Sequence, residues 1–372
     1  MLDNGRISSI QLSMLLFMTE APTAILFPPS IIAEQAGPDA WISVLVPISL
    51  YGFIVALICI ALARRYPKQV FTEYLPDIVG WLPGKLLALV YTLVFIHIAS
   101  FILAECSLFI RTAFLRETPS LPVVMIILIA VVYGVFLGIE VIARHNELVF
   151  PLFILSMFLL IVLVANNIDL NNLRPVLAKG FIPVLSGSYQ TAIFRGEIFI
   201  LLMLFPYLNQ KTEAHKSVMT VMIMMMIFAT TIIFVTIGVF GPLVTSQLTF
   251  PYYSLARYIS LAKILEQMEL YLVIFWMAGI IVKLAIFLHS ACIAAASTFN
   301  FRNYRMTIIP IAIISTVVCE ALYSTNYLNF INFFKNIWPL YGLSFELIVP
   351  GIVLLVAIIR RKGLTSSAQT KS

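Results

Sequence analysis

Apolar residues run along this chain in long stretches, separated by short polar connections. A membrane-crossing helix needs about 20 mainly apolar residues. Ten stretches meet that length, at about 8–33, 41–63, 83–113, 121–139, 147–165, 186–208, 217–244, 269–299, 306–323 and 338–359. The pattern predicts an all-α polytopic membrane protein with ten transmembrane helices.

Two stretches are interrupted. Glu20-Ala21-Pro22-Thr23 lies inside the first, and Phe194-Arg195-Gly196-Glu197 lies inside the sixth. The third member of each group of five, 83–113 and 269–299, is unusually long, which predicts tilt. A broken first member and a long third member therefore recur in both halves, giving a 5+5 repeat. Because five is odd, the second half is inverted relative to the first. The expected organisation is residues 1–180 as the first five-helix repeat with a long outer loop, 181–362 as the second, and 363–372 as a short tail. Broken helices at matching places in two halves mark a midplane binding site. There the freed backbone groups can meet a small ligand instead of lipid.

Composition agrees. The chain is 61% hydrophobic and 11% charged, with a mean hydropathy of +1.03, whereas ordinary globular proteins carry roughly 25% charged residues. Its 372 residues suit one polytopic domain. The net charge of +6 does not point to nucleic acid, because its placement follows the membrane. With the N-terminus in the cytoplasm, fourteen of the 23 Lys and Arg residues fall on cytoplasmic connections and seven on outer ones. That bias places both termini in the cytoplasm. The N-terminus runs directly into the first span, which predicts no cleavable signal peptide. Residues 254–267 put Leu255, Tyr258, Ile259, Ala262 and Leu265 on one helical face and Arg257, Lys263 and Glu266 on the other. This is the pattern of an interfacial helix.

The chemistry-bearing residues are few. Cys59, Cys106, Cys292 and Cys319 lie in apolar spans without metal or CxxC spacing and read as small hydrophobes. His97 and His289 form no metal motif and read as packing residues, and Met222, Met224, Met225 and Met226 read as filler. No Walker loop, dinucleotide glycine pattern, zinc motif or nucleophile elbow is present, so neither an enzyme nor a cofactor is expected. Ionisable groups inside spans cost roughly 2.5–3.5 kcal/mol each on insertion scales unless paired or hydrated. The candidates are Glu20, Glu105, Arg195, Glu197 and Lys283. Arg195 is expected to pair with an acid from another span. Glu105 and Lys283 read either as ligand contacts or as a structural pair. Pro22, Thr23, Ala24, Phe194 and Gly196 are the first ligand-site candidates, with Glu197 beside them. Trp276 and Phe194 are candidate pocket walls. The alternative is a proline kink and a packing glycine with no ligand.

Several stretches carry a family resemblance. They are Pro38-Asp39-Ala40-Trp41-Ile42, Glu117-Thr118-Pro119, Asn171-Asn172-Leu173-Arg174-Pro175-Val176-Leu177, Gly196-Glu197-Ile198 and Val273-Ile274-Phe275-Trp276. With the ten-span layout, the chain resembles the B subunits of bacterial spore germinant receptors, endospore germination permeases of the amino acid–polyamine–organocation superfamily. The resemblance implies a leucine-transporter-like fold. It implies a nutrient sensor working with an A subunit and a lipoprotein C subunit in the inner spore membrane. The implied ligand is a small germinant such as an amino acid, a sugar or a nucleoside. An amino-acid or organic-cation transporter using the same pocket is the alternative. One departure stands out: Glu20-Ala21-Pro22-Thr23 occupies the place where such permeases commonly carry a glycine-rich break.

Overall fold

The computed structural model describes residues 3–261, 268–324 and 327–363. Within them nearly all regular structure is helical. The one extended pairing among the described residues is a single parallel bridge between Ile7 and Leu208. Among the described residues nine helices are long and apolar enough to cross a membrane, and the bent pair Ile182–Thr191 and Ile193–Tyr207 makes ten. The outer surface carries bare apolar side chains, such as Ile126, Ile129 and Ile359, while Glu20, Glu105, Arg195, Glu197, Lys283 and Glu346 lie buried within the bundle. This inversion of the soluble pattern is what a lipid solvent demands.

Span one begins at Ser8, which caps the helix Ser9–Leu26. Its hydroxyl accepts from the Gln11 amide at 3.1 Å, and the Gln11 side chain accepts from the Ser8 amide at 2.8 Å. This reciprocal pair satisfies two otherwise orphan donors. The expected interruption at Glu20-Ala21-Pro22-Thr23 is corrected here: the helix continues through Pro22. The break falls at Phe27, before Pro28–Ala36. A lone proline removes one helical hydrogen bond. Consecutive prolines at 28 and 29 remove two, leave the carbonyls of Ala24 and Ile25 without helical donors, and restrict Phe27. Gly37, at φ 57°, then turns the chain into span two, which runs from Ala40 to Ala63 with a wide turn at Val44–Ile48 around Pro47. Such a positive φ favours glycine.

Span six is bent by 51° between Ile182–Thr191 and Ile193–Tyr207. Beyond the bend the backbone tightens into 3₁₀ geometry at Glu197–Ile200 and again at Phe205–Tyr207. Spans three (Trp81–Ala113) and eight (Met268–Thr298) contain 33 and 31 residues and pack against one another. At 1.5 Å per residue each is about 45–50 Å long. This exceeds the hydrocarbon thickness and calls for tilt.

Other elements tie the bundle together. The long connection docks on span seven (Ala214–Gln247), where Asp169 N and Asn172 Nδ2 each donate to the Gly238 carbonyl at 2.9 Å, near the Gly241-Pro242 kink. Asp39 accepts the Leu177 amide at 2.8 Å, so two of the distinctive sequence stretches meet. A helix at Pro251–Leu261 buries Leu255 and Ile259 and exposes Arg257, as the amphipathic pattern predicts. Residues 262–267 of that prediction, and residues 364–372 of the tail, lie outside the described residues. Two helices fall in stretches read as connections, Phe71–Val79 and Tyr327–Asn336.

An N-terminal strap crosses one face of the bundle. Asp3 Oδ2 accepts from the Ile139 amide at 3.0 Å and meets His289 Nε2 at 2.9 Å. Ile7 exchanges backbone hydrogen bonds of 3.0 Å with Tyr207 and Asn209. Arg65 donates to the Lys362 carbonyl at 2.7 Å. Ten crossings bring the strap and residues 360–363 to the same face, called the N-terminal face below.

Candidate functional site

The charged residues singled out on spans one, three, six and eight converge in the middle of the bundle. Arg195, just past the bend of span six, pairs through Nη1 with Glu20 of span one. Its Nη2 donates to the Met222 carbonyl of span seven at 3.0 Å. Gly52 of span two makes room for it, since a Cβ there would stand 3.1 Å from Arg195 Cβ. Lys283, midway along span eight, forms a 2.6 Å ion pair with Glu197. Its Nζ also donates to Thr23 Oγ1 at 2.8 Å, and that hydroxyl donates onward to Glu105 Oε2 at 2.8 Å. Glu105 and Lys283 are thus joined through Thr23, and the direct partner of Lys283 is Glu197. The Lys283 ammonium also lies 5.8 Å from the centre of the Phe194 ring.

The local geometry of spans one and six places these groups. A residue in 3₁₀ geometry turns by about 120° instead of 100°. Glu197 opens such a segment, and it and Arg195, two residues apart and so on different sides of the helix, serve different partners. In span one, Thr23 follows Pro22, whose carbonyl accepts from Trp276 Nε1 at 2.9 Å. The buried indole of Trp276 therefore braces span eight against the proline turn. Ala24, partly exposed, comes one residue later.

A sixth charged group was missed in the sequence. Glu346 lies in the π-helical segment Leu343–Ile348 of span ten (Trp338–Ile359) and is 2% exposed. Its Oε2 accepts from Tyr51 of span two at 3.2 Å. A Cβ on Gly196 would collide with that carboxylate and come within 2.8 Å of Tyr51 Cε1. Gly196 is therefore a place of close approach between spans two, six and ten. An acid within an apolar span is the same signal that marks the others.

Away from the N-terminal face, aromatic rings close over the network. Phe194 stacks on Phe334 at 5.1 Å, and Phe27, at the span-one break, packs edge-on to Phe194, Phe330 and Phe334 at 5.9, 5.5 and 4.9 Å. Phe101 stacks on Phe330 and Trp338 at 4.6 Å. His97, at the edge of this cap against Trp338, pairs with Tyr323, and His289 belongs to the strap.

The site therefore holds four carboxyl groups (Glu20, Glu105, Glu197, Glu346) and two cationic groups (Arg195, Lys283), all buried. Glu20 Oε1, Glu105 Oε1 and Arg195 Nε have no partner among the described residues. Charges at this depth are tolerated only when paired or hydrogen-bonded. Carboxyl groups thus outnumber cationic groups four to two around the broken-helix junction.

The ten-span bundle has the leucine-transporter fold. Solved structures agree: MhsT in complex with L-phenylalanine superposes with a TM-score of 0.69 at 14% identity, covering 96% of this chain and 99% of that one. The nucleobase-cation-symport-1 family transporter Mhp1 superposes at 0.67 with 16% identity, covering 96% and 79%. The chain matches the spore germination protein family model over residues 6–326 and belongs to that family. Among its relatives, spore germination protein KB of Bacillus subtilis (strain 168) is 27% identical over 97% of both chains. Spore germination protein YndE of the same organism is 28% identical over 80% of this chain and 82% of its own length.

Proposed function

We propose that this chain is the nutrient-sensing membrane subunit of a spore germinant receptor, binding a small germinant where the breaks of spans one and six meet. The observation that carries the site is the buried network of Glu20, Thr23, Glu105, Arg195, Glu197 and Lys283, which lies beside those breaks and joins spans one, three, six and eight. A ligand with an ammonium group, such as an amino acid, matches the surplus of carboxyl groups. Its remaining polar groups would meet the backbone at Pro22–Ala24 and Phe194–Gly196, with Trp276 as a wall. Occupation drives signalling only if the ligand binds one arrangement of the spans more tightly than another.

Membership of the family supports assembly with a receptor A subunit and a lipoprotein C subunit in the inner spore membrane. The Lys and Arg distribution supports cytoplasmic placement of the N-terminal face. The paired breaks support division into repeats at about residue 180.

The test uses spores in which this chain is the sole B subunit, screened against amino acids, sugars and nucleosides. Germination with one class, without uptake of that nutrient into proteoliposomes holding the purified chain, is the expected result. Concentrative uptake would instead favour the second reading, a transporter, which the likeness to ligand-bound MhsT motivates.

A further inference from the structure

Spans four (Ser120–Leu137) and nine (Arg305–Ser324) together line an apolar groove of about 700 Å³. Met125, Ile129, Tyr133, Ile309, Ala312 and Ile313 form its walls. None of its lining residues belongs to the ion network described above.

The two ends of the groove differ. At the N-terminal face it closes on Arg305, whose Nε donates to the Phe136 carbonyl at 3.0 Å and whose guanidinium lies 5.1 Å from the centre of the Phe136 ring. Arg302, also exposed, stands three residues earlier. Among the described residues neither arginine is in an ion pair. The far end is reached at Val317. From Arg305 to Val317 the helical rise amounts to about 18 Å. Half of the hydrocarbon core is about 15 Å. The groove thus has the depth of one leaflet and carries unpaired positive charge where that leaflet's headgroups lie. A transmembrane helix of another protein would call for a groove of about 30 Å.

We propose that this groove holds an acyl chain of an anionic phospholipid from the leaflet on the N-terminal face, with its phosphate on Arg305 and Arg302. The apolar walls accept the chain, and the arginines select the charge.

The purified chain, titrated with phosphatidylglycerol and phosphatidylcholine and read by native mass spectrometry, tests this. A basic residue near an anionic surface contributes about a fivefold preference. Phosphatidylglycerol should therefore bind at least fivefold more tightly than phosphatidylcholine. Arg305→Gln should lower phosphatidylglycerol affinity about fivefold and phosphatidylcholine affinity less, narrowing the gap between the two lipids. Ala312→Trp, which fills the groove, should weaken both. Because that indole replaces a packed methyl group, a second measurement accompanies it. A photoreactive benzoylphenylalanine at the exposed position of Ile309, activated in membranes, should form a lipid adduct. Equal affinity for the two lipids, an unaffected Arg305→Gln variant, or an adduct on another polypeptide would each overturn the proposal.

Discussion

Arg195 and Glu20 bind each other in a place where neither has water to return to. Removing one partner of a buried pair costs about 3–5 kcal/mol, because the survivor keeps its desolvation penalty. Arg195→Met should therefore lower thermal stability in detergent sharply, and Glu20→Met combined with Arg195→Met should recover much of the loss. Equal stability of the single and double variants would show that the pair is not coupled. Gly196 poses a packing question. Gly196→Ala puts a methyl group against Glu346 and Tyr51, and overpacking of this kind costs about 1–3 kcal/mol. Glu346→Ser should relieve part of it, so the two changes should be non-additive in thermal unfolding. Strict additivity would contradict the contact. Five of the six charges in the central network were legible in the sequence because an ionisable residue inside an apolar run is conspicuous. Glu346 carries the same signal but lies on span ten, away from the two breaks that drew attention to the others. Pairing was not legible. Lys283 meets Glu197 directly and Glu105 through Thr23, and no spacing rule relates residues on different spans.

At the scale of elements, apolar length revealed the ten crossings, but the break in span one was misplaced. Pro22 breaks one hydrogen bond and stays helical, with its carbonyl held by Trp276. Pro28 and Pro29 do what Pro22 does not. Pro28→Ala together with Pro29→Ala should restore donors to the Ala24 and Ile25 carbonyls and continue the helix across Phe27. Hydrogen exchange at residues 24–30 should slow and the nutrient response should weaken, while unchanged exchange would place the cause of the break elsewhere. Phe71–Val79 escaped the sequence reading because nine residues ending at Gly80 (φ 104°) are too few for a span. The strap gives a pH signature. Burial alone would raise the Asp3 carboxyl, but the hydrogen bond and charge of His289 and the amides of Gly5 and Ile139 hold it at about 2, below its ordinary 3.8. A depressed carboxyl stabilises the fold above its unfolded value. That stabilisation is lost as pH falls from about 4 through 2. Asp3→Asn should thus unfold at a lower temperature than the natural chain near neutral pH, and the difference should vanish towards pH 2. A gap that persists unchanged in acid would exclude this origin.

For the molecule as a whole, the arrangement is a bundle with lipid outside and charge inside, bent where its first and sixth spans meet. The class was legible because the bilayer imposes length and polarity on every crossing. The interior was less so, because aromatic closure by Phe27, Phe194, Phe330 and Phe334 is a property of the assembled spans. The central claim is that the network at the paired breaks is where a nutrient acts. Thr23 tests it with least disturbance, since its hydroxyl joins Lys283 to Glu105 and valine keeps its shape. Hydrogen bonds to charged groups are worth about 1.5–3 kcal/mol, which corresponds to a shift of about tenfold or more. The measurement is the nutrient concentration giving half-maximal germination in spores carrying Thr23→Val at natural abundance. A midpoint raised at least tenfold, with other receptors in the same spores unaffected, is the predicted result. An unchanged midpoint in a fully assembled receptor would contradict the account.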